Sequence, residues 1–164
     1  MNIAAFLPVR SERTLLKRIQ SDDCAELYDV ESCPETKRYL DGPVKKERAQ
    51  WIEQMVSACE KSEIAIIRHA ERNELIGRAA LAGEHWRPEL EIVLGRRWWG
   101  DGYGVEVAKE ILALATMLKV HSVYAVVHPE NHASIRMLES LAFRPMRVSS
   151  PSGKLHSREF CKSL

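Results

Sequence analysis

The stretch that most constrains the fold runs from Glu89 to Gly104. Its first six residues, ELEIVL, alternate in side-chain type as in a β-strand with two unlike faces. Glycines then recur at Gly100, Gly102 and Gly104, and an apolar stripe of helical period follows them. The pattern predicts a strand that passes through a glycine loop directly into a helix.

The glycine loop has the properties of an anion-binding site. Glycine adopts positive φ without steric cost and lets the main chain approach a ligand closely. A helix N-terminus adds N–H groups without intrahelical partners and a partial positive charge, which together suit a phosphate. Two nucleotide motifs fail, because a dinucleotide fingerprint from Gly100 would need glycine at Val105 and the Walker sequence is absent.

Composition narrows the class of protein. With 164 residues, 45% of them hydrophobic, the chain can bury a core, and we expect a single domain over residues 1–164. A formal net charge of +1 provides no field for nucleic acid, and no apolar run approaches the ~18 residues of a membrane span. Because neither the cysteines nor the histidines show metal-ligand spacing, we expect reduced thiols, a cytoplasmic location and no metal.

The remaining sequence divides into predicted elements around this central unit. Arg13–Ile19 reads as a first strand, and Ser21 and Asp22 offer N-cap oxygens to a helix that runs to about Val30. Later predicted elements are a loop over Cys33–Pro43, a helix over Lys45–Glu60, a hairpin of Glu63–Arg68 with Leu75–Leu81, a strand at Ser122–Val127, a helix from the N-cap Asn131 to about Leu141, and a terminal hairpin of Phe143–Ser149 with Lys154–Cys161.

The order of these elements is β-α-α-β-β-β-α-β-α-β-β. Three successive antiparallel strands followed by a strand–helix–strand unit predict a mixed α/β (α+β) fold with helices on both faces of the sheet. We expect a right-handed crossover at the unit around Gly100.

Two separated motifs in this chain resemble those of the GNAT superfamily of acyl-CoA N-acyltransferases. The likeness is closest to its RimJ/RimL branch, which acetylates protein N-termini. That branch has a strand ending near W-G-x-G-Y, a helix that begins with Glu, and the motif N-x-x-S-x-x-x-L-E-x-L-G-F. Here these are Trp99–Tyr103, Glu106 and Asn131–Phe143. Two further segments are similar to the branch, Glu74–Leu81 and Trp51–Met55, and the likeness spans about Arg13 to Pro145.

The resemblance implies a GNAT fold with a mostly antiparallel sheet of six to seven strands, and acetyl-CoA as co-substrate. It places the coenzyme pyrophosphate on the glycine loop and the pantetheine arm along the main chain of the preceding strand. The coenzyme-binding residues that it implies are Ile92, Val93, Leu94, Trp99, Gly100, Asp101, Gly102, Tyr103, Gly104, Val105, Asn131, Ser134 and Arg136.

The chain departs from the family pattern at four positions. Trp99 stands where the family has Gln or Arg, and Val105 stands where a Thr or Ser hydroxyl often helps to hold phosphate. Ala142 replaces a glycine, which would cost roughly 1 kcal/mol if that position is left-handed. Leu138 occupies the position of the tyrosine that acts as general acid in many relatives.

In the family, an amine attacks the thioester directly within a ternary complex. The resemblance makes Glu89 the first candidate for the general base, because its spacing to Gly100 matches that of an acidic residue which the family carries on this strand. Glu91 lies two residues on, on the same face, and is the second candidate; the alternative is a solvated face without a catalytic role. The N–H of Val93 or Leu94 could stabilise the oxyanion, and Ser134 could pass a proton to the sulfur through water.

The acceptor is expected to be a primary amine, either a protein N-terminus or a small molecule. The family builds the acceptor pocket from its first helices and later loops, here Val30–Lys46 and Glu84–Pro88, where acidic groups would suit a cation. The acidic and aromatic candidates there are Glu31, Glu35, Tyr39 and Asp41. We expect a monomer or a homodimer. The alternative function is a non-catalytic acyl-CoA sensor on the same fold.

Overall fold

One sheet runs through the computed structural model, which describes residues 3–58, 63–146 and 157–164. Its strands are β1 (Val9–Arg10), β2 (Thr14–Arg18), β3 (Ala65–His69), β4 (Leu75–Ala82), β5 (Glu89–Leu94), β6 (Ser122–Val127), β7 (Arg144–Pro145) and β8 (Arg158–Ser163). The described helices are α1 (Cys24–Glu31), α2 (Pro34–Lys37), α3 (Arg48–Ala58), α4 (Tyr103–Met117) and α5 (His132–Ser140).

The strands lie in the order β1-β2-β3-β4-β5-β6-β8-β7, and every neighbouring pair except β5 and β6 is antiparallel. This confirms the mixed α/β, mostly antiparallel prediction, but the sheet has eight strands rather than six to seven. One strand that the prediction lacked is β1, which is too short to produce a periodic pattern. Strands β7 and β8 pair as the predicted terminal hairpin, although its expected turn at residues 151–153 lies outside the described residues.

Strand bounds follow the sequence pattern more closely than helix starts do. Strands β5 and β6 have the predicted bounds, whereas the helix predicted from Lys45 begins at Arg48. The predicted end of that helix, Cys59 and Glu60, lies outside the described residues. The predicted loop after α1 contains the single turn α2, because Pro34 has the φ that a first helical turn needs.

The predicted cap of α1 was wrong. Ser21 and Asp22 belong to a 3₁₀ turn that precedes the helix, and they do not cap it. The carboxylate of Asp23 instead accepts a hydrogen bond from the Gln20 N–H at 2.8 Å. Asp23 is buried, and it also receives hydrogen bonds from Lys17 and Arg68, so the entry to α1 is fastened to strands β2 and β3.

Two apolar clusters lie on opposite faces of the sheet. The larger contains α4 and α5 and includes Ile67 and Phe160, and the smaller packs α1 and α3 against Ile66 and Leu75. Ile66 and Ile67 are neighbours on β3 and enter different clusters, as the alternation of side chains along a strand requires. Helices therefore cover both faces of the sheet, as predicted.

Strands β5 and β6 separate soon after they meet. Glu89 and Tyr124 are the one Cα pair between them, and the Tyr124 N–H donates to the Pro88 carbonyl at 2.8 Å. On its other edge, β5 pairs with β4 along its whole length. The later residues of β5 therefore border a gap on the β6 side, and this gap faces the start of α4.

Strand β4 approaches β5 unusually closely at Gly77. A Cβ atom on Gly77 would lie 2.0 Å from the Val93 carbonyl oxygen, so only glycine fits. Glycine at this position therefore supports the strand that borders the gap. Among the helices in the described residues, none has the length and apolar character needed to cross a bilayer.

Candidate active site

The glycine loop adopts the conformation that the sequence predicted. Gly100 and Gly102 have φ of +89° and +84°, a region that side-chain-bearing residues rarely adopt, and Gly102 is the N-cap of α4. The first intrahelical bond runs from the Glu106 N–H to the Gly102 carbonyl at 3.2 Å. The N–H groups of residues 103–105 precede that bond, so they can meet an anion.

An arginine from a distant part of the chain holds this loop in place. Arg13 donates from Nη1 to the Asp101 carbonyl and from Nε to Glu106 Oε2, both at 2.9 Å, and its guanidinium lies 4.4 Å from the Tyr103 ring centroid. Sequence reasoning missed Arg13, because the contact joins residues 93 positions apart and no local pattern records it.

Glu106 is a structural carboxylate in this arrangement. Its Oε1 accepts hydrogen bonds from Ser11 Oγ at 2.5 Å and from the Arg13 N–H at 2.8 Å. Burial alone would raise the pKa of Glu106, but the donors from Ser11 and Arg13 outweigh it and hold the pKa below its usual range. These contacts tie the first turn of α4 to Ser11 and Arg13.

Aromatic residues around the loop support it through their side chains. Trp98 and Tyr103 are buried, with ring centroids 5.3 Å apart in an edge-to-face arrangement. Tyr103 can therefore offer the coenzyme only its main chain. Trp99 is more exposed, and its indole N–H donates to the Leu94 carbonyl at 2.8 Å, which fixes the turn from β5 into the loop.

Along β5, the main-chain N–H and C=O groups of successive residues point alternately toward β4 and toward β6. The Pro88 carbonyl faces β6, and by alternation the N–H and C=O groups of Ile92 and Leu94 face the same side, into the gap. The main chain of Val93 faces β4, where its carbonyl meets Gly77. Of the three strand residues expected to contact pantetheine, two thus present their main chain to the gap.

The first turns of α5 carry the remaining residues that we expect to contact the coenzyme. Asn131 caps this helix as predicted, its Oδ1 accepting from the Ser134 N–H at 3.2 Å. A Cβ on Gly104 would lie 3.0 Å from Met137 Sδ, so α5 packs directly against the start of α4. Arg136 is exposed on the same helix.

The two candidate bases lie on the face of β5 that looks toward α1 and α3. Glu89 is half-buried and opposite Ala82 of β4. Glu91 is also half-buried, and its Oε2 lies 3.3 Å from Arg78 Nη1.

Arg78 belongs to a partly buried chain of charges that the sequence did not predict. Arg78 Nε donates to Glu31 Oε1 at 2.5 Å, and Lys37 Nζ donates to Glu31 Oε2 at 2.6 Å. Burial alone would raise the pKa of Glu31, but Arg78 and Lys37 together hold it below its usual range. The cluster, which we call the charge chain, is Lys37, Glu31, Arg78 and Glu91, with two positive and two negative members.

The charge chain borders a cavity of about 380 Å³ between α1, α3 and strands β4 and β5. The expected acceptor region therefore needs one correction: Glu31 is buried and neutralised by Arg78 and Lys37, so it offers no exposed charge to a cationic amine. The cavity lining consists of Leu27, Glu31, Trp51, Met55, Glu63, Ile64, Arg78, Ala80, Leu81, Ala82 and Glu91.

The other members of the expected acceptor region lie apart from this cavity. Glu35 is exposed and 3.3 Å from Arg96, and Asp41 is exposed in the segment after α2. The Tyr39 ring stacks on His128 at 5.2 Å, which joins that segment to the end of β6. Sequence reasoning missed both Lys37 and Arg78. Only Arg78 carried a signal in the sequence, because its position on β4 puts its side chain on the same face of the sheet as that of Glu91.

A family model for an acetyltransferase (GNAT) domain matches residues 13–144. The chain belongs to the GNAT acetyltransferase family. Members of this family transfer an acyl group from acetyl-CoA, so the protein is an acetyl-CoA-dependent N-acetyltransferase. This confirms the family that the two sequence motifs indicated, while the RimJ/RimL branch stays a prediction.

Similar proteins share this GNAT architecture over almost their whole length. An uncharacterised N-acetyltransferase, p20, from Bacillus licheniformis is 28% identical over 144 residues, which cover 82% of this chain and 80% of the relative. A GNAT-family acetyltransferase from Bacillus anthracis is similar in structure, with a TM-score of 0.80, 19% identity, and coverage of 96% of this chain and 98% of the other.

A third similar structure carries ligands. Spermidine N-acetyltransferase from Vibrio cholerae, in complex with CoA and spermine, has a TM-score of 0.76 and 15% identity, and the match covers 93% of this chain and 96% of the other. At such identity the two structural similarities show the shared fold alone.

Position 138 is the one at which the family resemblance led us to expect a tyrosine in many GNAT enzymes. Leu138 occupies that position and is 2% exposed within the larger apolar cluster. Within residues 3–58, 63–146 and 157–164, no group of three or more His, Cys, Asp and Glu side chains could hold a metal ion.

Proposed function

We propose that this enzyme transfers the acetyl group of acetyl-CoA to a primary amine, on a protein N-terminus or a small molecule, by direct attack in a ternary complex. We propose further that residues 1–164 act as one domain in the cytoplasm. The observation that carries the proposal is the exposed glycine loop at the start of α4, which opens onto the gap between β5 and β6.

The residues on the coenzyme side suit the parts of acetyl-CoA. The main-chain N–H groups of residues 103–105 would bind the pyrophosphate, helped by the partial positive charge of the helix end. The main chain of Ile92 would pair with the amides of the pantetheine arm, as an added strand does at a sheet edge. Asn131, Ser134 and Arg136 would flank the coenzyme from α5.

The thioester carbonyl would then lie at the end of β5. The N–H of Leu94 is our candidate for the oxyanion donor, because it points into the gap while that of Val93 points to β4. Ser134 would return a proton to the departing thiolate through water. Glu89 remains our first candidate for the general base and Glu91 the second, on the same face of β5.

The acceptor amine decides how strong the base must be. An α-amine with a pKa near ~8 is about a tenth neutral at pH 7, whereas a lysine side chain near ~10.4 is neutral in about one molecule in 2,500. The difference is worth roughly 3.3 kcal/mol. A half-buried carboxylate acting through water would suffice for an α-amine, and this favours an N-terminal or similar acceptor.

An assay of free thiol release tests the proposal. Protein, acetyl-CoA and a panel of amines are mixed, and the rates are followed over pH 6–9 for the wild type and for Glu89→Gln and Glu91→Gln. Glu139→Gln, an exposed change on α5, is the matched control. We expect Glu89→Gln to lower kcat at least tenfold, by flattening the rise of rate with pH.

Two results would contradict different parts of the proposal. Binding of acetyl-CoA without thiol release for any amine would indicate a sensor. Rates in both carboxylate variants equal to those of the control at saturating amine would remove the assignment of a base on β5.

A further inference from the structure

The cavity of about 380 Å³ beside Glu91 lies next to the proposed reaction centre. Glu91 is two residues before Val93 on the same face of β5, which corresponds to roughly 7 Å along a strand. A group that fills this cavity would hold an attached amine within reach of the end of β5. Resting on the proposed function, this cavity bears on the body of the acceptor, that is, the part of the acceptor molecule to which the amine is attached.

The walls of this cavity are mostly apolar. Leu27 comes from α1 and Trp51 and Met55 come from α3, while small alanines line the side formed by β4. Trp51 is held edge-on against Tyr28, with ring centroids 5.6 Å apart, so its position is supported from behind. Covering such walls with an apolar group is favourable, because it removes apolar surface from water.

The charges at the cavity have already found partners. Arg78 donates from Nε to Glu31 and from Nη1 to Glu91, so its charge is already balanced by carboxylates of the protein. Glu31 gives one oxygen to Arg78 and the other to Lys37, so it cannot bind the second ammonium of a polyamine. A multiply charged acceptor would place an unpaired charge among these groups, which is costly.

The apolar walls and the balanced charge chain together favour an acceptor whose body carries no charge. We infer that the acceptor is a monoamine on an apolar body such as a leucine or phenylalanine side chain, as at an N-terminus with an apolar first residue. The cavity binds the body, and the amine extends toward Leu94.

Amino-acid amides, whose α-amines have similar basicity, test the inference. The probes are the amides of alanine, leucine, phenylalanine and lysine, and spermidine is added as a more basic polyamine. We expect kcat/KM for leucinamide and phenylalaninamide to exceed that for alaninamide and lysinamide by about 10- to 100-fold, as burial of one apolar side chain predicts. The difference from spermidine should be at least as large, because its amines are also less often neutral.

A pair of neighbouring substitutions on α3 connects the selectivity to the cavity. Met55→Glu adds a carboxylate to the lining and should reduce the preference for leucinamide over lysinamide at least tenfold. Val56→Glu adds the same charge one residue further along, on an exposed side chain outside the lining, and should leave the preference unchanged. Equal acetyl-CoA affinity in both variants would show that the fold is intact.

The outcomes separate this inference from the proposed function. Thiol release that is fastest with spermidine or lysinamide, or a preference that Met55→Glu and Val56→Glu alter equally, would overturn the inference and leave the acetyltransferase proposal standing. No thiol release with any amine, despite acetyl-CoA binding, would overturn the proposed function and the inference with it.

Discussion

The two sides of β5 are built in different ways. The proposed coenzyme side is a contiguous loop, residues 99–105, in which the N–H groups of residues 103–105 precede the first intrahelical bond of α4. The acceptor side is a set of side chains from α1, α2, β4 and β5, joined by the charge chain. A main-chain site depends little on side-chain identity, whereas a side-chain site changes with every substitution.

This difference explains how the loop accommodates its departures from the family pattern. Trp99 and Val105 stand where relatives carry polar residues, yet the glycine conformations and the start of α4 are in place. The distant side chain of Arg13 supports this arrangement from behind. On the acceptor side, by contrast, the loss of one charged member leaves others buried without a partner.

The largest effect should come from the strand that the two sides share. Gly77→Ala places a Cβ 2.0 Å from the Val93 carbonyl oxygen, so β4 and β5 must move apart and both sides deform. We expect the free energy of unfolding to fall by more than about 3 kcal/mol, measured in urea, and acetyl-CoA binding to weaken as well.

Gly42→Ala is the matched control for this change. Gly42 has φ of +83° but open space around its Cβ position, so the same substitution should cost only about 1 kcal/mol. Equal stability of the Gly77 and Gly42 variants would contradict the idea that close strand contact requires glycine at position 77.

Glu31→Gln tests the acceptor side. The amide retains hydrogen-bonding capacity but removes the negative charge between Arg78 and Lys37, so we expect a loss of about 2 kcal/mol at pH 7. Thiol release should slow through a raised KM for the amine, while acetyl-CoA affinity should stay within twofold. A loss of coenzyme affinity as large as that of the amine would show that the two sides are not separable.

The same variant should change how stability depends on pH. The pKa of Glu31 is lower in the folded protein than its ordinary value, so its contribution is full above the unfolded pKa of about 4.3 and is lost as pH falls through the lower folded pKa. Unfolding curves from pH 7 to 3 should therefore converge for wild type and Glu31→Gln. A difference that stays constant across this range would argue against the charge as its cause.

Arg13→Met tests the coenzyme side. Without the hydrogen bond to the Asp101 carbonyl and the pairing with Glu106, the loop loses its support, and we expect acetyl-CoA affinity to fall about tenfold by calorimetry. Arg72→Met is the control, because Arg72 also lies over an aromatic ring, that of Trp98, at 5.3 Å. Equal affinities in the two variants would remove Arg13 from the support of the loop.

The smallest effect is expected from Ala142→Gly. This substitution measures the strain of a left-handed backbone at the alanine that follows α5. Ala142 has φ of +62°, as the missing glycine of the family motif predicted. Relief of the left-handed strain exceeds the entropy cost of glycine, so thermal unfolding should show a gain of about 0.5 kcal/mol. Lys119→Gly, at φ of +58°, should behave alike, and a loss of stability in both variants would refute the argument.

The coenzyme side could be predicted from sequence because its features are local. Gly100, Gly102 and the Asn131 cap act within a few residues of their own position, and the bounds of β5 and β6 follow from side-chain alternation. The start of α1 and the extra strand β1 escaped prediction. Each depends on a contact outside its own segment, Asp23 with Arg68 for one and Val9 with Leu16 for the other.

What the sequence by itself determined is the GNAT fold, the glycine loop at the start of α4, and the strand on which a base could lie. The tertiary structure alone decided that Glu31 is neutralised, that Arg78 pairs with Glu91, and that the main chain of Leu94 rather than Val93 faces the gap. The physical reason is distance along the chain. Propensity and periodicity act over a few residues, whereas charge pairing and strand neighbours depend on elements that come together from separate parts of the chain, as Arg78 and Glu31 do from 47 positions apart.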